Sequence, residues 1–69
     1  MNNTDLSRLK EFLYFYKIKE YIYSIIDLKL YLLDNIKDKD INDKLICILF
    51  DSSMDIEYEI SKLIDELVK

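Results

Sequence analysis

The chain has 69 residues and a net charge of −4. This length suffices for one domain, whose hydrophobic core alone contributes only about 3–5 kcal/mol to the free energy of unfolding. A single cysteine and no histidine exclude an intrachain disulfide and leave only one Cys or His ligand for a structural zinc, which needs several, so neither a metal nor another cofactor is expected. The negative charge argues against binding to nucleic acid. The lack of a long uncharged stretch or an apolar N-terminal segment predicts a cytoplasmic protein without a membrane-spanning helix.

Glycine and proline are both absent, and this predicts an all-α fold because tight hairpin turns depend on them. Two architectures fit a single helical domain over residues 1–69. One is a small three- or four-helix bundle within the chain, and the other is a helical hairpin that dimerises into a four-helix bundle. Regular helix packing, oligomerisation or a bound partner must supplement so small a core, and a homo-oligomer is expected.

Apolar spacing in the first half of the chain predicts two helices, near 4–16 and 18–34. The first has an apolar face of Leu6, Leu9, Phe12, Leu13 and Tyr16. The second apolar stripe lies on nearly the opposite side and consists of Ile18, Ile22, Ile25, Ile26, Leu32 and Leu33. This change of side indicates either a break near Tyr16–Lys17 or one long helix whose two sides serve different neighbours. Strict alternation in 26–32 also fits a β-strand, although no hairpin turn lies nearby.

The polar segment 35–40 predicts a loop in which Asp38 or Asp40 caps the next helix. Beyond this loop, apolar residues recur at helical spacing on one face. They are Ile41, Leu45, Leu49, Ile56, Ile60, Leu63 and Leu67. The second half of the chain is therefore also predicted to be helical.

Two helices, near 41–50 and 53–68, account for this second half if the chain breaks at its paired serines. Ser52 and Asp55 have the spacing of a capping box, which favours a helix start near residue 53. A single helix over 41–68 is the alternative, because serine interrupts a helix only weakly.

Residues that carry chemistry are scarce in this sequence. Without histidine the usual general base is missing, and without glycine the sequence contains no phosphate-binding loop motif. Cys47 lies in the apolar run LICILF with only Lys44 as a nearby cation, so we expect a buried core thiol rather than a nucleophile. The sequence therefore predicts no catalytic residue, no metal site and no enzyme activity.

Six of the nine aromatic residues lie in the segment 12–23, which carries more apolar surface than one helix face can bury. Tyrosine is enriched at binding hot spots because it brings a large contact area at a small entropic cost. The segment predicts a surface for another protein or a second copy, formed by Tyr14, Phe15, Tyr16, Tyr21 and Tyr23. Acidic residues beside its lysines dilute the positive charge, which argues against single-stranded nucleic acid as the ligand.

All of the excess negative charge lies in residues 35–69, and no basic residue occurs between Lys44 and Lys62. An acidic patch is predicted there, formed by Asp51, Asp55, Glu57 and Glu59. One interpretation is a solvated face that keeps the protein soluble. The other is a surface that docks on a basic protein, since complementary charge steers association and selects partners.

These observations favour a non-enzymatic protein-binding regulator or stoichiometric inhibitor that covers a surface on a larger protein. Small proteins of this size and profile are common among phage- and plasmid-encoded modulators of host proteins, so this interpretation is an analogy of type. Two alternatives follow from the same residues. One is an acidic inhibitor that mimics DNA, and the other is a self-assembling structural protein whose partner is a second copy.

Overall fold

The computed structural model describes residues 3–18 and 24–68, and these residues form four α-helices. The helices are α1 (Asn3–Ile18), α2 (Ile25–Asn35), α3 (Lys39–Phe50) and α4 (Ile56–Leu67). The described part of the chain contains no β-strand, so the predicted all-α bundle is confirmed and the strand interpretation of 26–32 is wrong. None of the described helices is long and apolar enough to span a bilayer.

The helices form a ring in chain order, in which each packs against the preceding and following helix and α4 closes onto α1. Neighbouring helices run antiparallel. Near the α2–α3 turn, Asn42 Nδ2 donates a hydrogen bond of 2.8 Å to the carbonyl oxygen of Leu33. Where α1 ends and α4 begins, Lys17 Nζ lies 3.8 Å from Glu57 Oε1. The α1–α4 side and the α2–α3 side are therefore opposite faces of the bundle.

The core consists of buried apolar side chains from all four helices and from the residue that ends α2. These are Leu9, Phe12, Leu28, Leu32, Ile36, Ile41, Leu45, Ile48, Leu49, Ile60 and Leu63. Every member of the apolar face predicted for the second half is buried or packs against this cluster.

The second apolar stripe predicted for the first half is correct for Leu32, which lies in the core, and for Leu33, which packs against it, but it is wrong for Ile18 and Ile26. Ile18 and Ile26 are exposed, whereas Leu28 and Ile36 lie in the core. The stripe fails because it assumed one helix from residue 18 onward, whereas Ile18 belongs to α1 and α2 starts a new register at Ile25.

The conformation of Ser24 excludes one long helix over the first half of the chain. Its backbone is extended, with φ −62° and ψ 161°, and its Oγ accepts a hydrogen bond of 3.2 Å from the backbone N–H of Asp27. The hydroxyl also donates a hydrogen bond to Asp27 Oδ2 at 2.9 Å. The N-cap Ser24 and the third helical residue, Asp27, are therefore joined by two hydrogen bonds. The predicted break near Tyr16–Lys17 lies inside α1, and residues 19–23 fall outside the described part of the chain.

Aspartates rather than serines begin the two later helices. Asp38 is the N-cap of α3 and accepts hydrogen bonds from the backbone N–H groups of Asp40 and Ile41, so α3 starts before the predicted residue 41. Asp55 is the N-cap of α4 and accepts from the N–H of Tyr58 at 3.1 Å. The predicted capping box at Ser52 is therefore wrong, and the break at residues 51–55 rules out a single helix over 41–68.

Among the residues that the structure describes, one polar side chain is buried inside the bundle, and it holds the α2–α3 loop. Asp5 of α1 is completely buried, and its two carboxylate oxygens accept hydrogen bonds of 2.9 Å from the backbone N–H groups of Lys37 and Asp38. A carboxylate that accepts two N–H bonds is satisfied despite burial, and charged hydrogen bonds are stronger than neutral ones. Asp5 therefore joins the start of α1 to a loop more than thirty positions away.

Candidate functional site

The aromatic residues at the end of α1 separate into a surface group and a core group. Tyr14 is 61% exposed, and its ring meets that of Phe15 edge to face at a centroid distance of 5.5 Å. Tyr16 instead stacks on the buried Phe12 at 5.8 Å and packs against the core. Of the predicted partner-binding residues, Tyr14 and Phe15 therefore reach the surface, whereas Tyr16 packs against the core. Tyr21 and Tyr23 lie outside the described residues.

Helical spacing explains this separation. The inner side of α1 is set by Asp5, Leu9 and Phe12, which recur at intervals of three or four residues. Tyr14 is two residues beyond Phe12, or about 200° around the helix, and therefore points outward. Ile18 lies one turn after Tyr14 and is also exposed. The last two turns of α1 thus present large apolar side chains on the side that faces away from the core.

These outward residues border a groove between α1 and α4, which we call the α1–α4 groove. It has a volume of about 430 Å³ and is lined by Lys10, Leu13, Tyr14, Lys17, Ile18 and Ile64. Its wall combines apolar side chains with the stems of two lysines that lie two turns apart on α1. A groove with an apolar wall and a few charged groups is the usual form of a docking site for a side chain or a helix of another protein.

The two lysines of the groove differ in their surroundings. Lys17 lies 3.8 Å from Glu57 of α4, and both side chains are about half exposed, so this ion pair contributes little to stability. Among the described residues, Lys10 has no carboxylate at ion-pair distance. The groove therefore presents one uncompensated positive charge and one partly compensated charge.

The four residues of the predicted acidic patch have separate structural environments. Asp51 Oδ1 accepts hydrogen bonds from the N–H and hydroxyl of Ser53, at 2.9 and 2.7 Å, and these two bonds hold the pKa of Asp51 below the ordinary aspartate value. Asp55 caps α4.

The two glutamates of this patch point to different neighbours of α4. Glu57 approaches Lys17 of α1, whereas Glu59 lines a groove against α3. The four carboxylates therefore do not share a single face, and two of them accept hydrogen bonds from the α3–α4 turn and the start of α4.

Cys47 is exposed, so the prediction of a buried core thiol is wrong. It lies in the groove between α3 and α4, which has a volume of about 310 Å³ and is also lined by Lys44, Met54 and Lys62. The error came from treating the run LICILF as uniformly buried. Leu45 and Leu49 face the core, and a residue two positions from each lies on the other side of the helix. The spacing of residues 41, 45 and 49 already carried this information.

A second apolar surface lies on the opposite side of the bundle, and the sequence analysis did not predict it. It consists of Ile26 and Leu30 on α2 and of Ile46 and Phe50 on α3, which are between 47% and 58% exposed. We call these four residues the α2–α3 face. Each pair is spaced by one helical turn, so the pattern was present in the sequence, but it could be recognised only once the inner side of each helix was known.

Within residues 3–18 and 24–68, no three side chains of His, Cys, Asp or Glu cluster as a metal site would require. Comparison of the chain with protein-family models, with curated proteins and with solved structures finds no match. Its function must therefore be inferred from its own surfaces.

Proposed function

We propose that the protein is a non-enzymatic regulator or stoichiometric inhibitor that binds a larger protein through the α1–α4 groove. The observation that carries the proposal is the placement of Tyr14, which is 61% exposed at the edge of this groove and braced edge to face by Phe15. A large ring held in water beside an apolar groove leaves hydrophobic surface that a partner can bury. Tyrosines in such positions commonly dominate the binding free energy of an interface.

The charges of the groove indicate the chemistry of the partner. Lys10 and Lys17 stand beside the apolar side chains of Leu13, Tyr14 and Ile18. An amphipathic segment with apolar anchors and flanking carboxylates complements this arrangement, because its acidic groups meet the two ammonium groups while its anchors enter the groove. A basic segment would instead place like charges together. The local charge of the groove thus favours an acidic partner segment, although the chain as a whole is acidic.

A photo-cross-linking residue at position 14 tests the proposal in cells that naturally make the protein. Tyr58 of α4 is the matched control, because it is also a tyrosine and is 62% exposed. We expect the probe at Tyr14 to give a one-to-one adduct with a single protein, and the probe at Tyr58 to give little of it. Equal adducts from both positions, or none from Tyr14, would contradict a binding site at the groove.

The purified partner then allows a kinetic test. Buried anchors act mainly on dissociation, so Tyr14→Ser should raise the dissociation rate about tenfold or more, while Tyr58→Ser leaves it unchanged. Lys10→Gln should slow association at low salt and make binding less sensitive to salt, because Lys10 contributes long-range attraction. Binding that responds to neither variant would exclude the groove as the contact surface.

A further inference from the structure

We propose that the α2–α3 face binds a second copy of the chain, so that two bundles associate through a symmetric contact. This inference does not depend on the proposed function, because the α2–α3 face lies on the side of the bundle opposite the α1–α4 groove. It rests on the continuity of the face, on its charge and on the area that it can bury.

The face is continuous across two helices. The ammonium group of Lys29 lies 5.4 Å from the ring centroid of Phe50, so the start of α2 and the end of α3 are in contact. At the other end, Asn42 Nδ2 donates to the carbonyl oxygen of Leu33. Between these two contacts the antiparallel helices place Leu30 beside Ile46. The four exposed side chains therefore form one apolar strip about two turns long.

The uncharged centre of this strip meets the requirement of a contact with a second copy. A two-fold contact places residues of the face opposite residues of the same face, so any uncompensated charge at its centre would meet its own kind. None of the four residues of the α2–α3 face is charged, and the neighbouring cation Lys29 lies over the ring of Phe50. The exposed carboxylates of Asp34 and Asp43 lie at the edge of the face, one turn from Leu30 and Ile46, and Asp43 pairs with Lys39 at 3.0 Å. The α1–α4 groove fails this test, because Lys10 and Lys17 would confront themselves across a two-fold axis.

The available area sets the expected strength. The exposed halves of four large apolar side chains amount to roughly 300–400 Å² on each copy. A standard interface buries about 800 Å² on each partner, and weak complexes bury less. We therefore expect a weak dimer with a dissociation constant on the order of micromolar to millimolar. The contact would also extend a hydrophobic core that is small for an independent domain.

The arrangement has a functional consequence. Because the two faces are opposite, a dimer formed through α2–α3 leaves both α1–α4 grooves open and directed away from each other. Such a dimer is bivalent, and it would bind a repeated or dimeric target more tightly than a single copy does.

Sedimentation equilibrium tests the proposal on the whole chain under reducing conditions, which prevent a disulfide through the exposed Cys47. Loading from about 10 µM to about 1 mM covers the range in which a weak interface associates. We expect a reversible monomer–dimer equilibrium in the wild type and a dissociation constant raised about tenfold or more by Leu30→Lys or Ile46→Lys. The control Tyr58→Lys, at an exposed site on α4, should dimerise like the wild type.

Salt separates this contact from a charge-driven one. Each copy carries a net charge of −4, so the copies repel at long range and added salt should strengthen the dimer. Association that weakens as salt rises would show that opposite charges drive it and would overturn the assignment to the apolar face.

A dilution series followed by amide NMR decides the location without any variant that might unfold. We expect concentration-dependent shifts at Ile26, Leu30, Ile46 and Phe50 and constant positions at Tyr14 and Ile18. Shifts confined to the end of α1 would overturn the proposal, as would a wild-type chain that stays monomeric at about 1 mM in both low and high salt.

Discussion

The two ends of the bundle are built in different ways. At the end where α1 begins, the α2–α3 loop is fixed by the buried carboxylate of Asp5 and by the buried side chain of Ile36. At the opposite end, the α3–α4 loop is held by exposed hydrogen bonds between residues close in sequence, such as Ser53 to Asp51 and Tyr58 to Asp55. We call the first the closed end and the second the open end.

Within residues 3–18 and 24–68, most of the exposed large apolar side chains lie at the open end, where α1 and α3 stop and α2 and α4 start. They are Tyr14, Phe15, Ile18, Ile26, Phe50, Met54 and Tyr58. Long-range hydrogen bonds thus hold the fold at one end, while apolar surface remains uncovered at the other. A surface that binds a partner must stay uncovered in the free protein, so this separation lets one small chain remain folded and still present such a surface.

The largest effect is expected at the closed end. Asp5→Ala removes the acceptor of two backbone N–H groups and leaves both without a protein partner, at a cost of about 3 kcal/mol in the free energy of unfolding. Because so small a domain has about 3–5 kcal/mol of stability, this variant should retain no more than about 2 kcal/mol and be partly unfolded at 25 °C. Circular dichroism and urea denaturation would measure the loss.

Two further variants test whether the loss of stability comes from the hydrogen bonds of Asp5. Asp5→Asn keeps one carbonyl acceptor and should lose about half as much stability as Asp5→Ala. Asp34→Ala removes an exposed acid from α2 and should change the stability by no more than about 0.5 kcal/mol. If Asp5→Ala were as mild as Asp34→Ala, the closed end would not depend on the buried carboxylate.

A smaller effect is expected at the open end from Asp55→Ala. This change removes the N-cap of α4 and should cost about 1 kcal/mol, the usual value for such a residue. If Asp55 served only as part of a repulsive acidic patch, its removal would instead stabilise the protein. Urea denaturation distinguishes the two signs, and Asp65→Ala, a change at an exposed acid later in α4, is the matched control.

The comparison of ends also shows what the sequence could predict. The absence of glycine and proline, together with the spacing of Ile41, Leu45 and Leu49, predicted an all-α fold and the inner side of α3. Asp38 was correctly placed as one of two candidate caps, because a cap is recognised from residues adjacent in sequence. Local features of this kind suffice wherever the determining contacts are local.

Local sequence patterns could not predict the contacts between residues far apart in the chain. Asp5 bonds to Lys37 and Asp38 across the bundle, and no pattern within one segment reveals such a pair. The boundary between α1 and α2 was misplaced because apolar residues on either side of it were read as a single stripe. In the candidate site, Tyr14 and Phe15 were identified from composition, but Ile64, which completes the groove from α4, could be assigned only from the fold.

Cys47 provides a third test, with a still smaller effect on stability. Because the thiol is exposed on the outer side of α3, Cys47→Ala should change the free energy of unfolding by no more than about 0.5 kcal/mol. A thiol reagent should label the folded wild type at a rate close to that of the unfolded chain in urea. Protection of the thiol in the folded state would indicate that another surface covers it.

The smallest effect concerns the hydrogen bonds of the α3–α4 loop and appears only as a dependence on pH. The hydroxyl and N–H of Ser53 stabilise the charged form of Asp51 and lower its pKa in the folded state. A group with a lowered folded pKa contributes stability above its unfolded pKa, at about pH 4, and this contribution is lost as the pH falls through the folded pKa.

Ser53→Ala removes the stronger of the two donors, so the pKa of Asp51 should rise towards its ordinary value. The melting temperature of Ser53→Ala should therefore fall slightly below that of the wild type at neutral pH, and the two melting temperatures should converge at about pH 2. Carbon-13 NMR titration of the Asp51 carboxyl group measures the shift directly. A wild-type titration at the ordinary aspartate value, or a melting difference that persists in acid, would mean that these exposed bonds do not order the loop.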